Sequence, residues 1–89
     1  MTIQTMVDRM NEVINEREDG NCTMYYGSSS NAIEIYEVSF SHGILEIRYD
    51  CGQFEEEERN ITSCQESEDD YGRNFSFLVE GVLVEFSFA

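Results

Sequence analysis

The hydrophobic period of this chain changes once, near residue 20, and that change decides what the chain can build. Ile3, Met6, Val7, Met10, Val13 and Ile14 recur at three- and four-residue intervals. That spacing gathers them on one stripe of a helix over residues 3–18. Thr2 or Thr5 can start the helix, Thr5 and Asp8 have the spacing of a capping box, and Gly20 is a natural stop. From Cys22 onward the apolar residues alternate, as in strands with one buried face. Residues 22–26 read as a short strand and 28–31 as a loop. Residues 32–40 read as a strand whose alternation slips at Tyr36 and Glu37, as at a bulge. His42-Gly43 signals a tight turn. Leu45, Ile47, Tyr49 and Cys51 then face one way, and Glu46, Arg48 and Asp50 the other.

The C-terminal residues give the clearest strand pair. Phe75, Phe77 and Val79 alternate before Glu80-Gly81, and Val82, Val84, Phe86 and Phe88 after it. Two such runs joined by two residues pair as an antiparallel hairpin. The stretch 53–72 is the least regular: residues 54–62 read as an edge strand and 65–72 as an exposed loop. A helix followed only by strands predicts an α+β fold, with one N-terminal helix packed on a five- to six-stranded antiparallel sheet. The 89 residues make one domain, 1–89. Six Phe, five Tyr and a hydrophobic share of 40% supply a packed core and argue against a disordered acidic chain.

Charge is the second constraint. Nineteen acids face five arginines, lysine is absent, and the net charge is −14 at pH 7. Self-repulsion at this density opposes a compact state, and solubility alone is met by a charge of magnitude about 2–8. Direct binding of nucleic acid is disfavoured, since phosphate contacts need clustered Lys or Arg. An anionic membrane surface is disfavoured for the same reason. No run of about 18 apolar residues predicts a membrane span, and no basic-then-apolar N-terminal segment predicts secretion. The expected location is the cytoplasm. Cys22, Cys51 and Cys64 are odd in number and unclustered, which fits reduced thiols packed as small hydrophobes. In such a compartment the sequons at Asn21, Asn60 and Asn74 are coincidental.

No catalytic constellation stands out, so the chain is expected not to be an enzyme. The one histidine, His42, lies in a turn with no cysteine beside it in sequence. Phosphate-binding loops, zinc-protease motifs and nucleophile elbows are absent. Glu66, Glu68 and Asp70 alternate before Gly72 like the start of a calcium loop, but residues 73–79 hold no closing acid. No metal site and no cofactor are expected.

The acids are what remains. A solvated surface is the default for a charge run, but three features depart from it. Asp8, Glu12 and Glu16 are like charges four apart, which weakens a helix. Glu16, Glu18 and Asp19 crowd the helix C-terminus, where the dipole favours cations. Glu55, Glu56, Glu57 and Glu58 stand together in what should be a strand. Residues 53–70 hold eight acids and one base, a net −7 and half the total. Local rules broken without local gain tend to mark function. Acids four apart on a helix lie about 6 Å apart, and those two apart on a strand about 6.6–6.8 Å, close to the interval between phosphates on a strand. The expected partner-binding residues are Asp8, Glu12, Glu16, Glu55, Glu56, Glu57, Glu58, Glu66, Glu68, Asp69, Asp70 and Tyr71. Tyr25, Tyr26, Tyr36, Phe54 and Tyr71 are candidate apolar anchors, with core packing the expected fate of at least half.

In size, acidity and the acid-rich segments 8–19 and 55–70, the chain resembles small acidic inhibitors from phages and mobile elements. These include anti-CRISPR proteins and DNA-mimic anti-restriction proteins. The resemblance lies in general character, not in an alignable motif. It implies an inhibitor that binds the basic, nucleic-acid-binding surface of a host defence complex, such as a CRISPR–Cas effector subunit, with carboxylates standing in for phosphates. An immunity protein or antitoxin against a basic nuclease is the alternative, as is a structural phage protein with a solvated acidic surface. An exposed edge strand also leaves a homodimer open.

Overall fold

Both periods are realised in the computed structural model, which describes residues 1–89. The elements are α1 (Ile3–Arg17), β1 (Asn21–Tyr26), β2 (Ser29–Ser41), β3 (Ile44–Tyr49) and β4 (Gly52–Glu57). A 3-10 turn (Glu58–Asn60) leads to β5 (Ile61–Asp69), β6 (Gly72–Val79) and β7 (Val82–Phe88). The strands form one antiparallel sheet in the order β4-β3-β2-β1-β7-β6-β5. The fold is therefore α+β with an N-terminal helix, but with seven strands rather than five or six.

The extra strand comes from the irregular stretch. Residues 52–69 form two strands around a 3-10 turn, not one edge strand and a loop. The β5–β6 register shifts between Thr62 and Gln65, and Ser63 adopts a positive φ of 58°. This bulge places Ile61 and Cys64, three residues apart, both in the core. The period of two is lost at that point, and beyond it Gln65–Asp69 is polar on both faces. β2 likewise starts at Ser29, so the loop expected at 28–31 shrinks to a turn at Gly27-Ser28.

The sheet curls on itself. β4 and β5 lie at opposite edges, yet only Glu58–Asn60 separates them. The Phe54 ring of β4 lies 5.6 Å from that of Phe77 on β6. Five strand steps in a flat sheet would separate them by about 24 Å. The bend is made in β2, the longest strand, which pairs with β1 through its first half and β3 through its second. Its register shifts between Ile35 and Glu37, the position of the expected bulge, and Tyr36 turns outward.

The enclosed face and the helix stripe form one core. Met6, Val7, Met10 and Val13 of α1 belong to the same buried cluster as Phe75, Phe77, Phe86 and Phe88, while Ile3 and Ile14 pack at its margin. No polar or charged residue is buried, so all nineteen carboxylates lie at or near the surface. Thr2 caps the helix by accepting from the Thr5 amide at 3.0 Å. Glu18, with φ of 60°, ends it. Gly20 serves a different purpose from the expected stop. Its carbonyl accepts from the Ile35 amide at 2.9 Å, and a Cβ there would sit 2.0 Å from the Ile35 carbonyl oxygen. Asn11 Nδ2 also donates to the Val38 carbonyl at 3.1 Å, fastening α1 to β2.

Two core substitutions follow from this packing. Phe86→Ala should cost about 3–5 kcal/mol by cavity formation, and Gly20→Ala about 1–3 kcal/mol through the forced backbone shift. Ser67→Ala on the exposed face should stay within about 0.5 kcal/mol of wild type. Urea unfolding followed by far-UV circular dichroism checks all three.

Candidate partner-binding surface

Strand alternation sorts the carboxylates onto different faces. On the outer side of β2–β3–β4, Glu46 lies directly opposite Glu55, Arg48 lies between Glu37 and Gln53, and Ile44 pairs with Glu57. Opposite side chains lie about 4.5–5.5 Å apart at Cβ, and like charges in that relation destabilise a sheet. Two arginines relieve this face in part. Arg48 Nε sits 2.8 Å from Glu46 and its Nη1 4.0 Å from Glu37, while Arg59 Nε sits 2.7 Å from Glu57. Glu55 has no basic partner and accepts only from Gln53 Nε2, at 3.0 Å.

The run Glu55–Glu58 therefore does not form a single wall. Glu55 and Glu57 point outward. Glu56 turns to the other side, where its Oε1 accepts from the Glu57 amide at 3.0 Å and from Asn60 Nδ2 at 2.8 Å. Glu58 opens the 3-10 turn and is exposed.

A second group joins α1 to β5, which pack together. Asp8, Glu12 and Glu16 are exposed on the helix. Asp8 accepts from Gln4 at 2.9 Å, Glu12 pairs with Arg9, and Glu16 has no ion-pair partner. Glu66 is engaged twice: Arg9 Nε lies 2.9 Å from its Oε1 and Arg73 Nη1 2.9 Å from its Oε2. The hydrogen bond from Arg9 is the main cause holding the Glu66 carboxyl below its ordinary value of 4.5, with the charges of both arginines adding to it. Glu68 lies 3.7 Å from Arg73. Asp69 closes the β5–β6 turn by accepting from the Tyr71 amide at 2.8 Å and the Gly72 amide at 3.0 Å, and the Tyr71 bond foremost lowers its pKa. Asp70 and Tyr71 stand at the tip, Tyr71 84% exposed. Glu66 and Asp69 thus hold the scaffold together, whereas Asp8, Glu16, Glu55, Glu58 and Asp70 are free of ion pairs. Sequence reading missed the Arg9–Glu66 pair because 57 positions separate its members.

The remaining face is nearly uncharged. Across the outside of β1–β7–β6–β5, one row runs Thr23, Ser87, Asn74, Ser67. The next runs Tyr25, Glu85, Ser76, Gln65, and a third runs Leu83, Leu78, Thr62. Glu85 is the only charge among these eleven residues. The carboxylates are therefore distributed unevenly over the molecule. Of the candidate anchors, Phe54 is buried, whereas Tyr25, Tyr26, Tyr36 and Tyr71 are exposed. Leu83 and Val82 are exposed as well. Val82 continues the alternation of Val84, Phe86 and Phe88, so the sequence pattern placed it in the core.

Cys22 and Cys64 are buried, as expected, but Cys51 sits exposed in the β3–β4 turn. Burial pushes the Cys22 thiol up to about 12 and that of Cys64 upward as well. No three His, Cys, Asp or Glu side chains are placed to hold a metal ion together. No helix is long and apolar enough to cross a membrane. No family model, curated protein or solved structure matches the chain.

Two measurements test these assignments. A carboxyl with a lowered folded pKa contributes stability above its unfolded value and loses it as pH falls through the folded one. Glu66 should therefore contribute at neutral pH, and its contribution should fade below about 4.5. Glu66→Gln should lower Tm at pH 7 and bring variant and wild type together as pH falls below that value. Thiol titration at pH 8 should label Cys51 alone in the native protein and all three cysteines after unfolding.

Proposed function

We propose that this chain is an acidic binding protein that docks onto the basic, nucleic-acid-binding surface of another protein, as an inhibitor of a host defence complex would. One observation carries the reading. The outer face of β2–β3–β4 sets Glu46 against Glu55, with Glu37 and Glu57 beside them, four carboxylates against the two arginines Arg48 and Arg59, and Glu55 is left without a base. Strand spacing of about 4.8 Å and side-chain repeats of about 6.8 Å set the four carboxylates of that face, with Arg48 among them, on a lattice of near-phosphate intervals. The arrangement works against folding, and a positively charged counterpart would reverse its sign. Long-range attraction would also speed the encounter. The exposed helix acids Asp8, Glu12 and Glu16 extend the negative potential beyond this face.

The test couples stability to binding. Glu55→Lys should raise Tm, since it removes the cross-strand repulsion with Glu46 and leaves the Arg59–Glu57 pair intact, and replacing both Glu55 and Glu57 by lysine should weaken partner binding about tenfold or more. Affinity capture from host lysate should recover a nucleic-acid-binding protein that releases as salt rises towards about 1 M, where the Debye length is about 3 Å. Capture of neutral or acidic proteins only, or full binding by the lysine variant, contradicts the reading.

A further inference from the structure

Four of the large hydrophobic side chains that remain exposed gather at one end of the molecule. Tyr25 and Tyr26 are 41% and 40% exposed, Val82 and Leu83 41% and 48%. The β1–β7 ladder brings them together. Tyr26 pairs with Val84 and Tyr25 with Glu85, and the Gly27 amide donates to the Leu83 carbonyl at 2.9 Å. Gly27 lies beside Val82: a Cβ built there would be 3.5 Å from Val82 Cγ1. Leu78, opposite Leu83, extends the cluster along β6. The group wraps over the end of the β1–β7–β6 ribbon, with Tyr25, Leu83 and Leu78 on the outer face and Tyr26 and Val82 at the rim.

Three carboxylates without ion pairs, Glu56, Glu80 and Glu85, lie on the borders of this cluster. Glu85 stands beside Tyr25 in the ladder. Glu80 occupies the β6–β7 turn, and its amide donates to the Asn60 carbonyl at 3.0 Å. Asn60 in turn donates to Glu56 at 2.8 Å. The Tyr26 ring lies 6.1 Å from that of Phe54, two residues before Glu56 on the same side of β4. All five arginines are engaged by other acids: Arg9 and Arg73 by Glu66, Arg17 by Asp19, Arg48 by Glu46, and Arg59 by Glu57. None reaches Glu56, Glu80 or Glu85.

An apolar centre bordered by polar residues and acids has the anatomy of an interface hot spot, in which the centre is desolvated and the rim excludes water. Rim charge selects the occupant. A second copy of this chain would set Glu80 and Glu85 against their own kind. We propose that the Tyr25–Tyr26–Val82–Leu83 cluster is the anchor of partner binding, and that it takes an apolar side chain flanked by arginine or lysine on the partner's surface. The inference rests on the basic-partner reading and adds to it. The lattice on β2–β3–β4 attracts, and this patch holds.

The test uses the whole chain, labelled with nitrogen-15, and two synthetic peptides. One has a Leu-Trp pair flanked on each side by two arginines, and the other is arginine throughout. The mixed peptide should shift the amides of residues 25–27 and 80–85. Leu83→Ser should weaken it about tenfold and leave the far-UV spectrum unchanged, since Leu83 lies outside the core. The all-arginine peptide should shift the β2–β3–β4 face in wild type and variant alike. Shifts confined to β2–β3–β4 with both peptides overturn the anchor and leave the basic-partner reading standing. Concentration-dependent shifts at the patch without peptide overturn it in favour of self-association. An absence of shifts with either peptide overturns both.

Discussion

Everything in this fold follows from a three-residue connection between the two edges of one sheet. Glu58–Asn60 joins β4 to β5, and these strands are the first and last of seven. A flat sheet cannot satisfy that link, so the sheet must curl, and β2 supplies the bend at Tyr36. Curling commits one face of every strand to a common interior, which the four phenylalanines of β6 and β7 fill. The interior then accepts no charge, and none is buried. Nineteen carboxylates are left to share the outside of a small molecule. Where they fall is set by strand parity and by which faces the helix covers.

Twelve of the nineteen acids have no ion pair, yet two of the acids work plainly for the fold. Glu66 gathers Arg9 from the helix and Arg73 from β6, so it clasps α1 against the edge strand at the open side of the curl. Asp69 satisfies the amides of the adjacent turn. Both have lowered pKa values with hydrogen bonding as the first cause. A run of acids in the sequence thus separates into groups that stabilise and groups that do not. Glu55, opposite Glu46 with only Gln53 for company, belongs to the second kind. Such positions persist against their local effect, and partner binding is the physical reason proposed for keeping them.

Legibility in the sequence followed the strength of the apolar period. Met6, Val7, Met10 and Val13 announced the helix and its buried stripe, and Phe75 to Phe88 announced the last hairpin. The β2 bulge was also visible, because Tyr36-Glu37 broke a clean alternation. β5 was not visible. Its bulge at Ser63 brings Ile61 and Cys64 inward at a three-residue spacing, and the remainder of this edge strand has no apolar face to mark it. The candidate surface was legible in composition but not in geometry. Adjacent acids on a strand point to opposite faces, so Glu55–Glu58 could not act as one wall. Only the fold revealed that Glu66 already has two arginines. The exposure of Val82 was hidden, because it follows the pattern of the core strand it begins, whereas Leu83 falls on the outward parity that the alternation already gave it.

The central claim is that this surface holds net repulsion which the folded chain does not relieve by itself. The most direct measurement is the free energy of urea unfolding at pH 7 as a function of potassium chloride, from low salt to about 1 M, where charges more than about 3 Å apart are screened. Stability should rise steadily with salt, and that of the lysine variant at positions 55 and 57 should rise less. Stability that is flat or falls with salt would mean that the carboxylates are already balanced within the fold, with no repulsion left for a partner to relieve.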